Sequence, residues 1–169
     1  MPAVKALMLT ISICAAVAIA GCGGSGGSST SSTESTAGTE STTATAEKTK
    51  PKVAVPQGAP PKKLVVKELE KGTGAVAKPG DEVTVQYVGV SYKNSKEFDS
   101  SWSRSEPFSF QLGAGQVIPG WDPGVAGMKV GGRRELVIPP NLAYGAAGSP
   151  PAIGPNETLV FVIDLLEVN

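Results

Sequence analysis

From about Lys62 to Asn169 apolar and polar residues alternate with a period of two, interrupted at short intervals by glycine and proline. This pattern constrains the fold more than any other feature. Successive strand side chains point to opposite faces, whereas a helix needs a period near 3.6. Leu64 to Glu70 reads as a strand. In Glu82 to Tyr92, Val83, Val85 and Tyr87 share one face against Thr84 and Gln86 on the other. Phe108, Phe110 and Leu112 alternate, Arg133 to Ile138 is short and β-like, and Thr158 to Val168 puts Leu159, Phe161, Ile163 and Leu165 together. The Gly and Pro clusters between these runs suit antiparallel strands joined by turns. One short helix is expected around Pro119 to Met128, weakened by its Asp-Pro-Gly. The expectation is an α+β domain over 62–169, an antiparallel sheet packed on one small helix and large enough for a single core.

Two unlike segments precede it. Met1 to Lys5 carries one positive charge, and Ala6 to Ala20 follows as fifteen uncharged apolar or small residues. That run is too short for a ~20-residue membrane span and has the proportions of a signal-peptide core. It ends in Ile19-Ala20-Gly21-Cys22, which resembles the bacterial lipobox. Small residues give a peptidase access to the bond before Cys22, and the thiol accepts a diacylglyceryl group. Residues 1–21 are therefore expected to be removed, Cys14 with them, leaving an extracytoplasmic protein lipid-anchored to a bacterial membrane or envelope through Cys22. Residues 22–61 read as a disordered linker. Between Gly23 and Lys50, fifteen of 28 residues are Ser or Thr and five are Gly, with almost nothing aliphatic to bury. Pro51, Pro56, Pro60 and Pro61 stiffen its second part.

Composition removes several function classes. Histidine is absent, which excludes an imidazole base, a Ser-His-Asp triad and any His-containing metal site. With two cysteines, neither a disulfide framework nor a paired-CxxC zinc site can be built. Fifteen basic residues balance fifteen acidic ones, so no overall field points to nucleic acid. All nine aromatic residues lie at or after Tyr87, inside the β domain.

Within that domain the pieces Val85-Gln86-Tyr87-Val88-Gly89, Phe98-Asp99-Ser100-Ser101, Pro107-Phe108-Ser109-Phe110, Leu112-Gly113, Val117-Ile118-Pro119-Gly120-Trp121, Gly124-Val125, Met128, Gly131, Ala143-Tyr144-Gly145 and Leu159-Val160-Phe161 occur in order. Together they resemble the FKBP-type peptidyl-prolyl cis/trans isomerase domain, from about Leu64 to Asn169. The resemblance implies a twisted half-barrel sheet wrapped on one short helix, and rotation of X–Pro bonds as the reaction. That chemistry makes and breaks no covalent bond and needs neither nucleophile nor metal, so the absence of histidine does not count against it. An apolar, aromatic-lined pocket that favours the twisted amide is sufficient.

The resemblance also implies roles. Trp121 would floor the pocket beneath the substrate proline, with Tyr87, Phe108, Val117, Ile118 and Phe161 as walls and Phe98 beside them. The backbone at Ile118 would share a hydrogen bond with substrate, and the Tyr144 hydroxyl would reach a substrate carbonyl. Asp99 would sit at the edge, kept ionised and oriented by Arg104, and Ile153 would close the rim. Partners would be proline-containing segments of unfolded or partly folded secreted proteins, with macrolide immunosuppressants as competitors. A catalytically weak peptide-binding or chaperone module on the same fold is the alternative.

Taken singly, these residues have plainer readings. Aromatics of a small β domain usually belong to its core, and Asp99 before Ser100-Ser101 could cap a turn. Gly89, Gly113, Gly120 and Gly145 read as turn or close-approach positions, and Arg133-Arg134 as a solvated strand end. The sequence departs from the family at Ser149, where a rim histidine is frequent, and at Gln116, where a glutamate is. Pro123 interrupts the helix, which would then start late with Asp122 as N-cap, or be irregular. Trp102 and Tyr92 match no pocket position; Trp102 reads as a surface aromatic or an added substrate contact.

Overall fold

The computed structural model describes residues 48–169. The signal segment, Cys22 and the linker up to residue 47 lie outside the described residues. Six strands form one antiparallel sheet: β1 (Val65–Glu70), β2 (Glu82–Ser91), β3 (Glu97–Ser100), β4 (Phe108–Gln111), β5 (Arg133–Ile138) and β6 (Leu159–Val168). The order across the sheet is β1-β5-β6-β2-β3, and β4 also pairs with β2. Two short helices, α1 (Ser101–Arg104) and α2 (Trp121–Val125), and a 3₁₀ turn (Pro140–Leu142) complete it.

The period-two pattern is realised as expected in β2 and β6. Val83, Val85, Tyr87, Leu136, Ile138, Leu159, Phe161, Ile163 and Leu165 are buried on the inner face against Trp121 and Val125 of α2. The helix is seated on β5 by two glycines four residues apart. A Cβ on Gly120 would lie 2.5 Å from Ile138 Cγ2, and one on Gly124 would lie 2.5 Å from Leu136 Cδ1. The helix therefore needs a bare stripe where it meets the sheet.

Three expectations change. The helix starts at Trp121 with Gly120, not Asp122, as N-cap, and Pro123 falls inside its first turn, where its missing N–H removes no helical bond. The Asp122 carboxylate instead accepts from the Gly113 N–H at 2.9 Å. Secondly, β3 and α1 were not anticipated. Both are four residues long, too short for a periodic signal. Thirdly, Arg133 and Arg134 are not a solvated strand end. Arg133 clamps the fully buried Asp164 from β6 with Nε at 2.7 Å and Nη2 at 2.8 Å. Arg134 donates to the carbonyls of Gly124 and Ala126, at 2.8 and 3.1 Å, and so closes the C-terminal end of α2.

Residues 48–61, expected as the end of the linker, run along the outer face of the sheet. Pro51, Val53 and Val55 are half-buried while Lys52, Ala54 and Pro56 are exposed. Val53 and Val55 pack with Tyr92 and Trp102 on a second apolar cluster of Val88, Val90, Val137 and Val160. Lys48 reaches Glu70 at 2.9 Å and Asp164 at 3.2 Å, and holds the Glu70 carboxyl below its usual pKa. Trp102 is thus neither a bare surface aromatic nor a pocket residue; it belongs to this outer layer.

Candidate active site

Along β2 the edge partner changes. Glu82 to Val85 pair with β4, and Val88 to Val90 pair with β3, leaving Gln86 and Tyr87 at the junction. The buried Ser101, first residue of α1, fills this gap. Its hydroxyl accepts from the Tyr87 N–H at 2.7 Å and donates to the Gln86 side chain. The junction leaves Tyr87 facing inward with β3, α1 and β4 around it.

Its hydroxyl joins two charged groups. Tyr87 donates to Asp99 Oδ2 at 2.5 Å, and Arg104 Nη2 donates to the Tyr87 oxygen at 2.8 Å. Arg104 Nη1 is also hydrogen-bonded and ion-paired with Asp99 Oδ1, which in addition accepts from the Ser100 N–H at 2.8 Å. Burial, reinforced by the bond to Asp99, pushes the Tyr87 pKa up to about 12. The bonds to Tyr87 and Asp99 raise that of Arg104. The phenol therefore keeps its proton and the guanidinium its charge, and the three groups form a closed triangle.

Beside it lies a cavity of about 380 Å³. Trp121 is 4% exposed, with its ring edge-on to Tyr87 at 5.1 Å and to Phe161 at 5.3 Å. Phe108 and Phe110 flank it at 6.2 and 5.7 Å. Phe98 packs edge-on to Phe161 at 5.5 Å. Such edge-to-face contacts hold the rings in fixed orientations. Gly89 permits the Phe98–Phe161 contact, because a Cβ there would lie 2.7 Å from both rings. The start of α2 is pinned by the Gly120 N–H to the Leu142 carbonyl at 2.8 Å and the Trp121 N–H to the Ile118 carbonyl at 2.9 Å.

The structure brings together Tyr87, Phe98, Asp99, Phe108, Val117, Ile118, Trp121, Tyr144 and Phe161 as lining of this one cavity. Arg104 stands behind Asp99 rather than on the lining. Phe110 packs beneath, in the core. Ile153 differs from expectation. It is 4% exposed, packed in the main core and absent from the lining, and its backbone exchanges two hydrogen bonds with that of Ser149. Gln116 lines the cavity although no role was expected of it. Ser101 was also missed: a serine after Asp-Ser reads as turn chemistry, and its partner lies fourteen residues away. Tyr144 is 40% exposed, and its hydroxyl has no partner among the described residues. Burial, with Asp99 nearby, raises its pKa, so it remains a neutral donor at the cavity mouth. Among the described residues no group of acidic, Cys or His side chains could hold a metal. The cavity offers apolar ring surface, a protonated phenol and a clamped carboxylate.

Comparison with known proteins gives this geometry its context. The family model for FKBP-type peptidyl-prolyl cis-trans isomerase matches residues 74–166. An FK506-binding protein of Streptomyces anulatus is 57% identical over 120 residues, which is 70% of this chain and 97% of the relative. A probable FK506-binding protein of Corynebacterium glutamicum is 49% identical over 117 residues, covering 69% and 97%. Among solved structures, FkpA from Escherichia coli is similar with a TM-score of 0.57 and 50% identity, over 63% of this chain and 48% of that one, so this chain spans about half its length. The matched region contains β2 to α2 and almost all of β6, and with them every ring around Trp121, so the chain belongs to the FKBP-type peptidyl-prolyl cis-trans isomerases and is an enzyme of that class.

Proposed function

We propose that the cavity over Trp121 binds the proline of X–Pro segments in secreted or envelope proteins and accelerates their cis/trans rotation. The observation that carries this reading is the convergence of six rings, among them that of Tyr144, and the Tyr87–Asp99–Arg104 triangle on one cavity. The uncatalysed rotation crosses a barrier of ~18–20 kcal/mol and takes roughly tens to hundreds of seconds. Its transition state has lost amide resonance, so the carbonyl is less polar and the twisted amide tolerates desolvation better than either planar form. A dry aromatic pocket therefore binds the transition state more tightly than the ground state, which is what acceleration requires.

In this reading Trp121 supports the proline ring, Phe98, Phe108, Val117 and Phe161 exclude water, and the Ile118 backbone and Tyr144 hydroxyl fix the flanking carbonyls. Asp99, held by Tyr87 and Arg104, sits at the edge where the carbonyl rotates. Macrolides of the FK506 type compete for the same surface. The reading also places the enzyme outside the cytoplasm, anchored by lipid on Cys22, for which the support is the lipobox-like Ile19-Ala20-Gly21-Cys22.

A protease-coupled or NMR-exchange assay on X–Pro peptides tests the reading. Acceleration lost on adding FK506 supports it. Binding without acceleration assigns the chain to the peptide-binding alternative, and no binding removes the pocket assignment. For the anchor, Cys22→Ala should release the protein into the medium; unchanged membrane association overturns the lipid reading.

A further inference from the structure

The segment that carries Asp99 and Arg104 cannot hold itself. It consists of β3 and α1, eight residues in all, and a four-residue helix has no independent stability. On the inner side it is fastened by Ser101 to Gln86 and the Tyr87 backbone. On the outer side its neighbour is the strap of residues 48–61. Lys50 Nζ donates to Glu97 Oε1 at 2.9 Å and to Ser103 Oγ at 3.0 Å, and Ser103 Oγ donates to the same Glu97 oxygen at 3.1 Å. Glu97 opens β3 and Ser103 is the penultimate residue of α1, so one ammonium group bridges both ends of the stretch that contains Phe98 and Asp99. Trp102, between Ser103 and the buried Ser101, packs on the same outer cluster as Val53 and Val55.

We infer that the strap is a positioning element for the Asp99 edge of the pocket, with Val53, Val55 and Lys50 as its positioning residues. This deepens the pocket reading above and rests on it. None of the three touches the cavity; they act through β3 and α1. An exposed ion pair such as Lys50–Glu97 contributes little alone, so the apolar pair carries the larger part and Lys50 sets the register. With the strap lifted, β3 and α1 keep the β2 ladder and the Ser101 anchor but lose their support on the outer side. Asp99 and Arg104, both open to solvent at the edge, then sample geometries in which the carboxylate is misplaced for the rotating amide.

The test uses the full chain and compares Val53→Ser/Val55→Ser, Lys50→Ala, Lys50→Arg and the exposed-strap control Lys52→Ala. The double variant should lower kcat/KM about 3- to 10-fold, mainly through kcat. Lys50→Ala should lower it less, Lys50→Arg should restore it, and Lys52→Ala should match the unsubstituted chain. The hydrogen-bonded guanidinium NMR signals of Arg104 should broaden or merge in the double variant, which a purely stabilising strap would not cause. Should that variant be unfolded at the assay temperature, Val53→Ala/Val55→Ala is read in its place. Unchanged kcat/KM, or a fall in kcat/KM with sharp, unshifted Arg104 signals, overturns the inference. Lack of isomerase activity in the unsubstituted chain would instead overturn the pocket reading, so the two failures are distinct.

Discussion

Phe98 and Asp99 are consecutive in the chain, yet both line the same cavity. A regular strand would send them to opposite faces. The pairing of β2 with β3 slips here: Gly89 lies opposite Asp99 and Val90 opposite Glu97, leaving Phe98 as an extra residue without a cross-strand partner. The bulge turns the aromatic ring and the carboxylate toward one site, and an uninterrupted ladder could not do so.

The room for this arrangement is supplied by Gly89. Gly89→Ala would push a methyl to 2.7 Å from both Phe98 and Phe161. We expect a loss of about 1–3 kcal/mol of stability from overpacking and a narrower cavity, read as weaker FK506 binding in calorimetry. Unchanged affinity would mean that the Phe98 wall does not touch the ligand.

Tyr87→Phe removes the hydroxyl that donates to Asp99 and accepts from Arg104 while keeping the ring against Trp121. The outcome expected is a several-fold lower kcat/KM with the aromatic packing preserved, measured by isomerase assay beside near-ultraviolet circular dichroism. Equal activity would show that the triangle is not needed for rotation.

Tyr87 also makes alkaline stability distinctive. Its folded pKa, raised to about 12 chiefly by burial, exceeds the ordinary value of 10. The native state therefore keeps a proton that the unfolded chain gives up. That contribution is complete below pH 10 and disappears as pH rises through 12, amounting to roughly 2–3 kcal/mol for a two-unit rise. Urea unfolding between pH 9 and 11.5 should show a fall in stability that is smaller in Tyr87→Phe. Tyr144, also raised, contributes in the same direction and remains in that variant.

At the opposite face, Arg133→Met would strand the carboxylate of Asp164, which is fully buried, with Lys48 as its remaining cation. Removing one partner of a buried pair destabilises by about 3–5 kcal/mol. The double change Arg133→Met/Asp164→Leu should recover most of that loss in a thermal melt. Failure to recover would mean that Arg133 matters mainly through Glu70 and the Thr49 carbonyl.

Long strands and their buried faces were legible because β2 and β6 each repeat the alternation over ten residues. The ordered aromatic pieces gave nine cavity positions by resemblance. What stayed hidden depends on partners remote in sequence or on breaks in periodicity. Arg133 looks like a solvated charge until the register sets it opposite Asp164. The bulge at Phe98 cancels the alternation that would have revealed β3. The strap carries a short alternation at Pro51, Val53 and Val55, but lysines and prolines surround it and its apolar partners are on β2, β5 and β6. The resemblance puts Ile153 at the rim, and nothing in the loop sequence reveals that its side chain packs in the main core.

The position of β6 has a consequence for the order of events in folding. The strand that comes last in the domain is not at an edge but lies between β5 and β2, joining two halves that otherwise share no ladder. It also supplies Phe161 to the cavity wall. Without Leu159–Val168, the pairing of β1 with β5 and that of β2 with β3 and β4 would be two separate ladders. Tyr87, Phe108 and Phe110 come from the β2–β4 half, whereas α2, which carries Trp121, rests on β5. A prolyl isomerase domain thus depends on a long-range closure of its own, made by the strand that joins its two ladders.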